Sequence, residues 1–183
     1  MSDAIATRPY VESDRPFVFD QWLESFRLSH AAGPFPMRMY RPVYTTAINE
    51  ILARPKVEVL VACSPDDEDE LYGFICHEKR RAPVVHYLYV KHIFRREFRV
   101  ATTLMGAAGI DPKKTFLYTF KTPMASKIAE HWTGATFDPL IARFPYERKA
   151  RAAEALDETS EGHLLRTGGS ARRRARARDL DAG

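Results

Sequence analysis

The stretch VVHYLYVKHIFRREFRVATTLM, residues 84–105, decides the fold of this chain of 183 residues. Its first seven residues, 84–90, form an apolar run that predicts a buried strand. A short basic loop follows, and a helix comes after the loop. The start of a helix offers backbone N–H groups without intrahelical partners and the positive end of a dipole, so this junction is typical of an anion site. Three arginines beside it, Arg95, Arg96 and Arg99, indicate that the anion is a phosphate.

This stretch resembles the acyl-CoA-binding segment of the GNAT superfamily, the Gcn5-related N-acetyltransferases. That segment is an apolar strand followed by Gln/Arg-x-x-Gly-x-Gly/Ala at the opening of a helix. One overlay sets Arg96 on the Gln/Arg position, Arg99 on the first glycine and Ala101 on the closing Gly/Ala. A second overlay, shifted back by one residue, sets Phe98 on that glycine. In both overlays a bulky side chain stands where glycine lets the backbone approach a phosphate closely.

The rest of the pattern predicts an α+β fold with the element order β-α-α-β-β-β-α-β-α-β. Strands are predicted at 4–10, 57–63, 71–77, 84–90, 115–120 and 135–142, and helices at 13–27, 43–53, 97–108 and 122–132. This order matches a GNAT-like, mostly antiparallel mixed sheet flanked by helices, and small phage- and prophage-encoded members look most similar. We therefore expect a GNAT-like domain over residues 1–147 and a charged, arginine-rich C-terminal extension over residues 148–183.

The resemblance implies direct transfer of acetyl from acetyl-CoA to an amine. It implies that the diphosphate binds at the loop before the helix and that the strand at 84–90 pairs with the pantetheine amides. It also implies a base for the amine and an acid, often a tyrosine, for the leaving thiolate. The candidates for binding acetyl-CoA are Leu88, Tyr89, Val90, Arg95, Arg96, Arg99, Val100 and Ala101.

Three residues are candidates for proton transfer. His86 is one because histidine titrates near neutral pH, although strand alternation places it with Leu88 and Val90 on a face that also suits core packing. Glu78 ends a predicted strand beside a run of basic residues that keeps it ionised. Tyr118 is the candidate acid for the thiolate, with core packing as its alternative role. The sequence has no zinc spacing and no P-loop, and it predicts no metal site.

The composition limits the class of protein and the cellular compartment that we expect. Hydrophobic residues make up 45% of the chain, which is enough for a core, and no run approaches the 18 apolar residues of a membrane span. The N-terminus lacks the apolar stretch of a secretory signal. Cys63 and Cys76 fall in predicted core strands, so we expect buried reduced thiols and a cytoplasmic location, or a virion if the chain is phage-encoded.

Most of the net charge of +4 lies after residue 147. The extension contains a cluster of five arginines without interleaved aromatic residues: Arg172, Arg173, Arg174, Arg176 and Arg178. One interpretation is a solvated terminus. The other is a tether that binds the phosphate backbone of a nucleic acid, or other phage or structural proteins.

Two functions stay open at this point. The first is an acyl-CoA-dependent N-acetyltransferase that acts on an amine of a small molecule or a protein. The second is a catalytically inactive GNAT-fold binding or assembly protein, such as a phage virion component or a DNA-associated protein. The replaced glycine and the arginine-rich extension favour the second.

Overall fold

A six-stranded sheet whose strands lie side by side in chain order forms the centre of the molecule. The computed structural model describes residues 5–95 and 99–143. The strands are β1 (Ala6–Pro9), β2 (Val57–Cys63), β3 (Leu71–Glu78), β4 (Val84–Val90), β5 (Phe116–Tyr118) and β6 (Ala135–Phe137). The first four strands pair antiparallel, whereas β5 is parallel to both β4 and β6. The predicted α+β fold with a mostly antiparallel mixed sheet is confirmed.

The described residues also form five α-helices and two short 3-10 helices, and all but the last α-helix lie between strands. The α-helices are α1 (Arg15–Arg27), α2 (Met37–Leu52), α3 (Val100–Ala107), α4 (Pro123–Ala129) and α5 (Leu140–Arg143) within the described residues. The 3-10 helices are Glu12–Asp14, directly before α1, and His92–Phe94, after β4. In the described residues, no helix is both long and apolar enough to cross a membrane.

Strand alternation divides the core into two clusters. On β3, Phe74 and Cys76 pack with buried residues of α1 and α2, whereas Ile75 packs with buried residues of α3. The first cluster is built on aromatic rings around Trp22 of α1, which stacks on Tyr87 with ring centroids 4.6 Å apart. The cysteines predicted to lie in core strands, Cys63 and Cys76, are buried thiols.

The N-terminal boundary of the second helix was predicted wrongly. The run of proline, methionine and aromatic residues before position 43 predicts a loop, but α2 already begins at Met37. Pro42 lies inside α2 as its sixth residue, so the helix lacks the hydrogen bond that an N–H at this position would donate to the carbonyl of Arg38. Tyr40 is 2% exposed and its hydroxyl donates to the carbonyl of Leu23 at 2.6 Å, so a tertiary contact holds this first turn.

The end of the domain also differs from the prediction. The strand predicted over 135–142 is two elements, β6 and α5, because Pro139 has no N–H for a sheet ladder and separates them. Two helix termini are confirmed. Thr122 accepts a hydrogen bond from the N–H of Ala125 at the start of α4, and Gly109 follows α3 with a positive φ of 70°. The boundary at 147 and the five arginines between 172 and 178 lie outside the described residues.

The aromatic cluster gives a stability prediction. Trp22 is 1% exposed and contacts three other rings, those of Phe74, Tyr87 and Phe120. We expect Trp22→Ala to lower the free energy of unfolding by about 3–5 kcal/mol, because it leaves a cavity in the core. Leu28, directly after the same helix, is 78% exposed, so Leu28→Ala is the control and should change it by less than about 0.5 kcal/mol. Urea unfolding measures both, and equal effects would contradict this packing.

Candidate functional site

The parallel strands β4 and β5 part after two residue pairs. Val84 pairs with Leu117 and Val85 with Tyr118, and the last backbone contact is the N–H of Thr119 donating to the carbonyl of Val85 at 3.2 Å. Beyond this point β4 continues to Val90 while paired only with β3 in the described residues. The edge of β4 from residue 86 to residue 90 therefore opens into a gap in the sheet.

Two local features mark the point where the strands part. A β-bulge lies at His86, because Cys76 pairs with Tyr87 and His77 with Val85, which leaves His86 without a partner on β3. Just after β5, the ring of Phe120 lies 6.0 Å from that of Tyr87, and both rings pack against Trp22 of α1. These aromatic contacts fix the chain that follows β5 against the core.

The gap leads into a cleft of about 340 Å³ between β4, the start of α3 and the helix α4. Seven of the eight residues that the sequence predicts to bind acetyl-CoA line this cleft: Leu88, Tyr89, Val90, Arg95, Arg99, Val100 and Ala101. The eighth, Arg96, lies outside the described residues, as does Phe98. The fold thus brings the end of the strand and the start of the helix to one wall of one cleft.

Arg99 has a left-handed backbone conformation, with φ 46° and ψ 28°, directly before α3. Among the described residues, Arg99 is the only residue other than glycine that has a positive φ. Glycine adopts this conformation without a steric penalty, so the structure favours the overlay that sets Arg99 on the glycine position of the motif. The first helical hydrogen bond runs from Thr103 N–H to Arg99 O, so the N–H groups of residues 100–102 have no partner within the helix.

Arg95 stabilises the end of the strand that enters the cleft. Its Nε donates to the carbonyl of Val90 at 3.0 Å, so the side chain folds back along the edge of β4. Together with Arg99, it gives this wall of the cleft two cationic side chains. The described cleft residues include no carboxylate, so the electrostatic character of the cleft favours an anion.

His86 and Glu78 lie together, but both are buried. His86 Nε2 is 3.4 Å from Glu78 Oε2, and His86 Nδ1 is 3.2 Å from the hydroxyl of Thr119. The alternation that placed His86 with Leu88 and Val90 fails at the bulge, which turns the ring toward Glu78. The side chain of His86 is fully shielded from solvent, and His86 is not among the residues that line this cleft.

Burial and cationic neighbours set the charge of this pair. Burial lowers the pKa of His86, so the ring is neutral near pH 7. Burial by itself raises the pKa of Glu78, but the interactions with His86 and with Arg80, whose Nη2 donates to Oε1 at 2.5 Å, lower it to about 2. A neutral imidazole and an ionised carboxylate suit a structural contact that holds the bulge of β4.

Tyr118, the predicted acid, lies at the point where the two strands part. It lines a second, smaller space between β4, β5 and α4 that we call the inner pocket and that adjoins the cleft. The inner pocket is lined by the apolar side chains Val85, Leu88, Phe116, Phe120, Met124, Ala125, Ile128, Ala129, Trp132 and Ala135, together with His86, Tyr87, Tyr118 and Thr122. Burial raises the pKa of Tyr118, so its phenol keeps its proton near pH 7.

Sequence reasoning did not single out the polar residues Ser25 and Thr122, which also line the cleft. Ser25 belongs to α1, and its hydroxyl lies 2.7 Å from that of Tyr87. Nothing in the local pattern of α1 indicates this contact, because it depends on how the helix packs against β4. His131 and Trp132, just after α4, line the cleft as well.

The left-handed backbone at Arg99 can be tested by comparing glycine with alanine at two positions. The preference between these residues, measured as stability, should have opposite signs at positions 99 and 106. Because the position is left-handed, we expect the Arg99→Gly variant to be more stable than the Arg99→Ala variant by about 1 kcal/mol in urea unfolding. At Gly106, inside α3, an added Cβ meets nothing within 4 Å. Gly106→Ala is the control and should raise the free energy of unfolding by about 0.5–1 kcal/mol. If alanine were also preferred at position 99, the left-handed conformation would be wrong.

The buried histidines predict how stability depends on pH. Burial lowers the pKa of both His77 and His86, so the unfolded chain binds more protons than the folded one below pH 6.5. We expect the free energy of unfolding to fall between pH 7.5 and pH 5.5, and His86→Gln to make this fall smaller. His30→Gln, at an exposed position, is the control and should leave the slope unchanged. A wild-type protein equally stable at both pH values would contradict the burial of these rings.

Comparison with known proteins agrees with this architecture. No protein-family model and no curated protein matches the sequence. An acetyltransferase structure from Bacillus subtilis matches with a TM-score of 0.53 at 12% identity, covering 70% of this chain and 90% of that one. A GCN5-related N-acetyltransferase from Rhodopseudomonas palustris matches at 23% identity over 60% of this chain and 65% of its own, with a TM-score of 0.40. AAC(6′)-Iy, solved with a CoA-containing bisubstrate analogue, matches at 13% identity over 70% and 89%, with a TM-score of 0.42.

Because these sequence identities are low, the matches show similarity of fold alone. The sheet that opens between β4 and β5, with helices on both faces, is the fold of the GNAT acetyltransferases.

Proposed function

We propose that this protein is an acyl-CoA-dependent N-acyltransferase that moves an acetyl group from acetyl-CoA directly to an amine. The observation that carries the proposal is the opening of β4 from β5 beside the start of α3. It combines an unpaired strand edge with a helix start and two arginines in one cleft. An acyl-CoA molecule has the matching parts, a diphosphate next to a chain that contains two amides.

The cleft suits this ligand in size and in charge. Its volume of about 340 Å³ lies in the range of small-molecule sites. We assign the diphosphate to the N–H groups of residues 100–102, with Arg95 and Arg99 as cationic partners. The backbone of β4 from residue 86 to residue 90 would bind the pantetheine amides as an added strand binds a sheet edge.

When bound, acyl-CoA supplies a thioester whose carbonyl carbon is open to attack by an amine. The residues of the chain would hold the reacting groups and exclude water. Tyr118 Oη holds a proton near pH 7 at the point where the strands part, so a thioester held at this point could receive that proton on its departing thiolate. His86 and Glu78 stay sequence predictions as bases, and their burial favours a role in fixing the bulge of β4.

The second candidate is a GNAT-fold protein that binds without catalysis. The observation that favours it is the buried contact between His86 and Glu78: neither predicted base lines the cleft, and only His86 lines the inner pocket. Such a protein would keep the cleft and its ligand but release no thiol.

Calorimetric titration with acetyl-CoA tests the proposal. We expect binding in the micromolar range, and we expect Arg95→Ala and Arg99→Ala each to weaken it about 10-fold or more, because each removes a charge-assisted contact to phosphate. Arg38→Ala is the matched control. Arg38 is an exposed arginine of α2 that does not line the cleft, so its replacement should leave the affinity unchanged.

Absence of heat at millimolar acetyl-CoA would overturn the proposal. Thiol release in the presence of a panel of primary amines then separates the two candidates. Release above the rate without protein supports the transferase, whereas binding without release supports the non-catalytic protein.

A further inference from the structure

The inner pocket is an apolar space that the binding of the diphosphate and the pantetheine does not require. Its volume is about 60 Å³, and it shares six lining residues with the cleft, so the two spaces adjoin. The shared residues are Tyr87, Leu88, Thr122, Met124, Ile128 and Trp132. Arg95 and Arg99 line the cleft but not the inner pocket, so the pocket lies at the end of the site away from these cations.

We propose that the inner pocket binds the carbon chain of the acyl group and that the preferred donor carries an unbranched aliphatic acyl group of three or four carbons. This inference rests on the proposed function. The divergence of β4 and β5 at Val85 and Tyr118 lies on the pocket wall, so a thioester held at this divergence directs its acyl chain into the pocket.

The size of the pocket sets the length of the chain. One water molecule takes up roughly 10–15 Å³ of such a space, so about 60 Å³ holds roughly four to six atoms of that size. An acetyl group leaves part of this space empty, and a chain of eight carbons exceeds it. A cavity that accepts a benzene ring is more than twice as large, about 150 Å³, which excludes an aromatic acyl group.

The side chains set the polarity of the acyl group. Phe116, Phe120 and Ile128 present carbon atoms to the pocket, and its described lining includes no lysine, arginine or carboxylate. His86 is neutral and already faces Glu78 and Thr119. An acyl group that ends in a carboxylate, such as succinyl, would bury an unpaired charge here, so we expect the pocket to reject it.

Calorimetric titration of the full chain with CoA, acetyl-CoA, butyryl-CoA, octanoyl-CoA and succinyl-CoA tests this inference. Each buried methylene contributes about a 4-fold gain in affinity, so we expect butyryl-CoA to bind about 15-fold more tightly than acetyl-CoA. Octanoyl-CoA and succinyl-CoA should both bind more weakly than butyryl-CoA.

Ala129→Leu probes the pocket itself. Ala129 lines the inner pocket but not the cleft, and the three carbons that leucine adds occupy a space of about this size. We expect the preference for butyryl-CoA over acetyl-CoA to fall below about 2-fold. Ala107→Leu is the matched control, because Ala107 is an exposed residue of α3 outside both spaces, and the preference should persist in it.

The outcomes separate the two proposals. If acetyl-CoA binds and butyryl-CoA binds no more tightly, the acyl-chain inference is wrong and the transferase proposal stands. Octanoyl-CoA or succinyl-CoA binding as tightly as butyryl-CoA would also overturn the inference. If CoA and all of its thioesters fail to bind, the proposed function itself is wrong.

Discussion

The contact on which the site depends is the short parallel pairing of β4 with β5. Two residue pairs, Val84 with Leu117 and Val85 with Tyr118, hold the strands together, and beyond them the sheet opens. A longer ladder would close the gap and pair the edge of β4 with protein instead of with a ligand. A shorter one would leave β5, β6 and α4 without a fixed position relative to β4. The cleft, the inner pocket and the position of Tyr118 all follow from where this pairing stops.

Buried polar groups lie at the point where this pairing ends. The bulge at His86 is fixed by contacts with Glu78 and with Thr119. The contact with Thr119 links the two strands at the point where the gap begins. Glu78 also lies 3.9 Å from Arg54, whose guanidinium donates to the carbonyls of Ile141 and Ala142 in α5. An ion pair as deeply buried as this one contributes through specificity of geometry more than through net stability, since desolvation of the charges offsets their attraction. The residues that looked catalytic in the sequence thus lie where they define the shape of the site.

The sequence predicted the parts of this structure that depend on local pattern. The apolar run of β4, the helix after it, the cap at Thr122 and the turn at Gly109 all carry signals within a few residues. The seven described residues that the resemblance implied for binding acetyl-CoA also line one cleft. The errors arose where tertiary contacts determine the local structure. The contact of Tyr40 with Leu23 supports an α2 that extends across a proline. The bulge at His86 interrupts the strand alternation, so the side chain does not lie on the face that simple alternation assigns to it. Ser25 reaches the cleft through helix packing, which no pattern within α1 encodes.

We propose that the opened edge of β4 and the start of α3 form one binding surface for a CoA thioester. A crystal structure of the protein grown with CoA tests this surface. We expect the diphosphate within hydrogen-bonding distance of the N–H groups of residues 100–102, and the pantetheine chain along β4 from residue 90 toward residue 86. CoA bound elsewhere, or a cleft closed by side chains of this protein in the presence of saturating CoA, would contradict it.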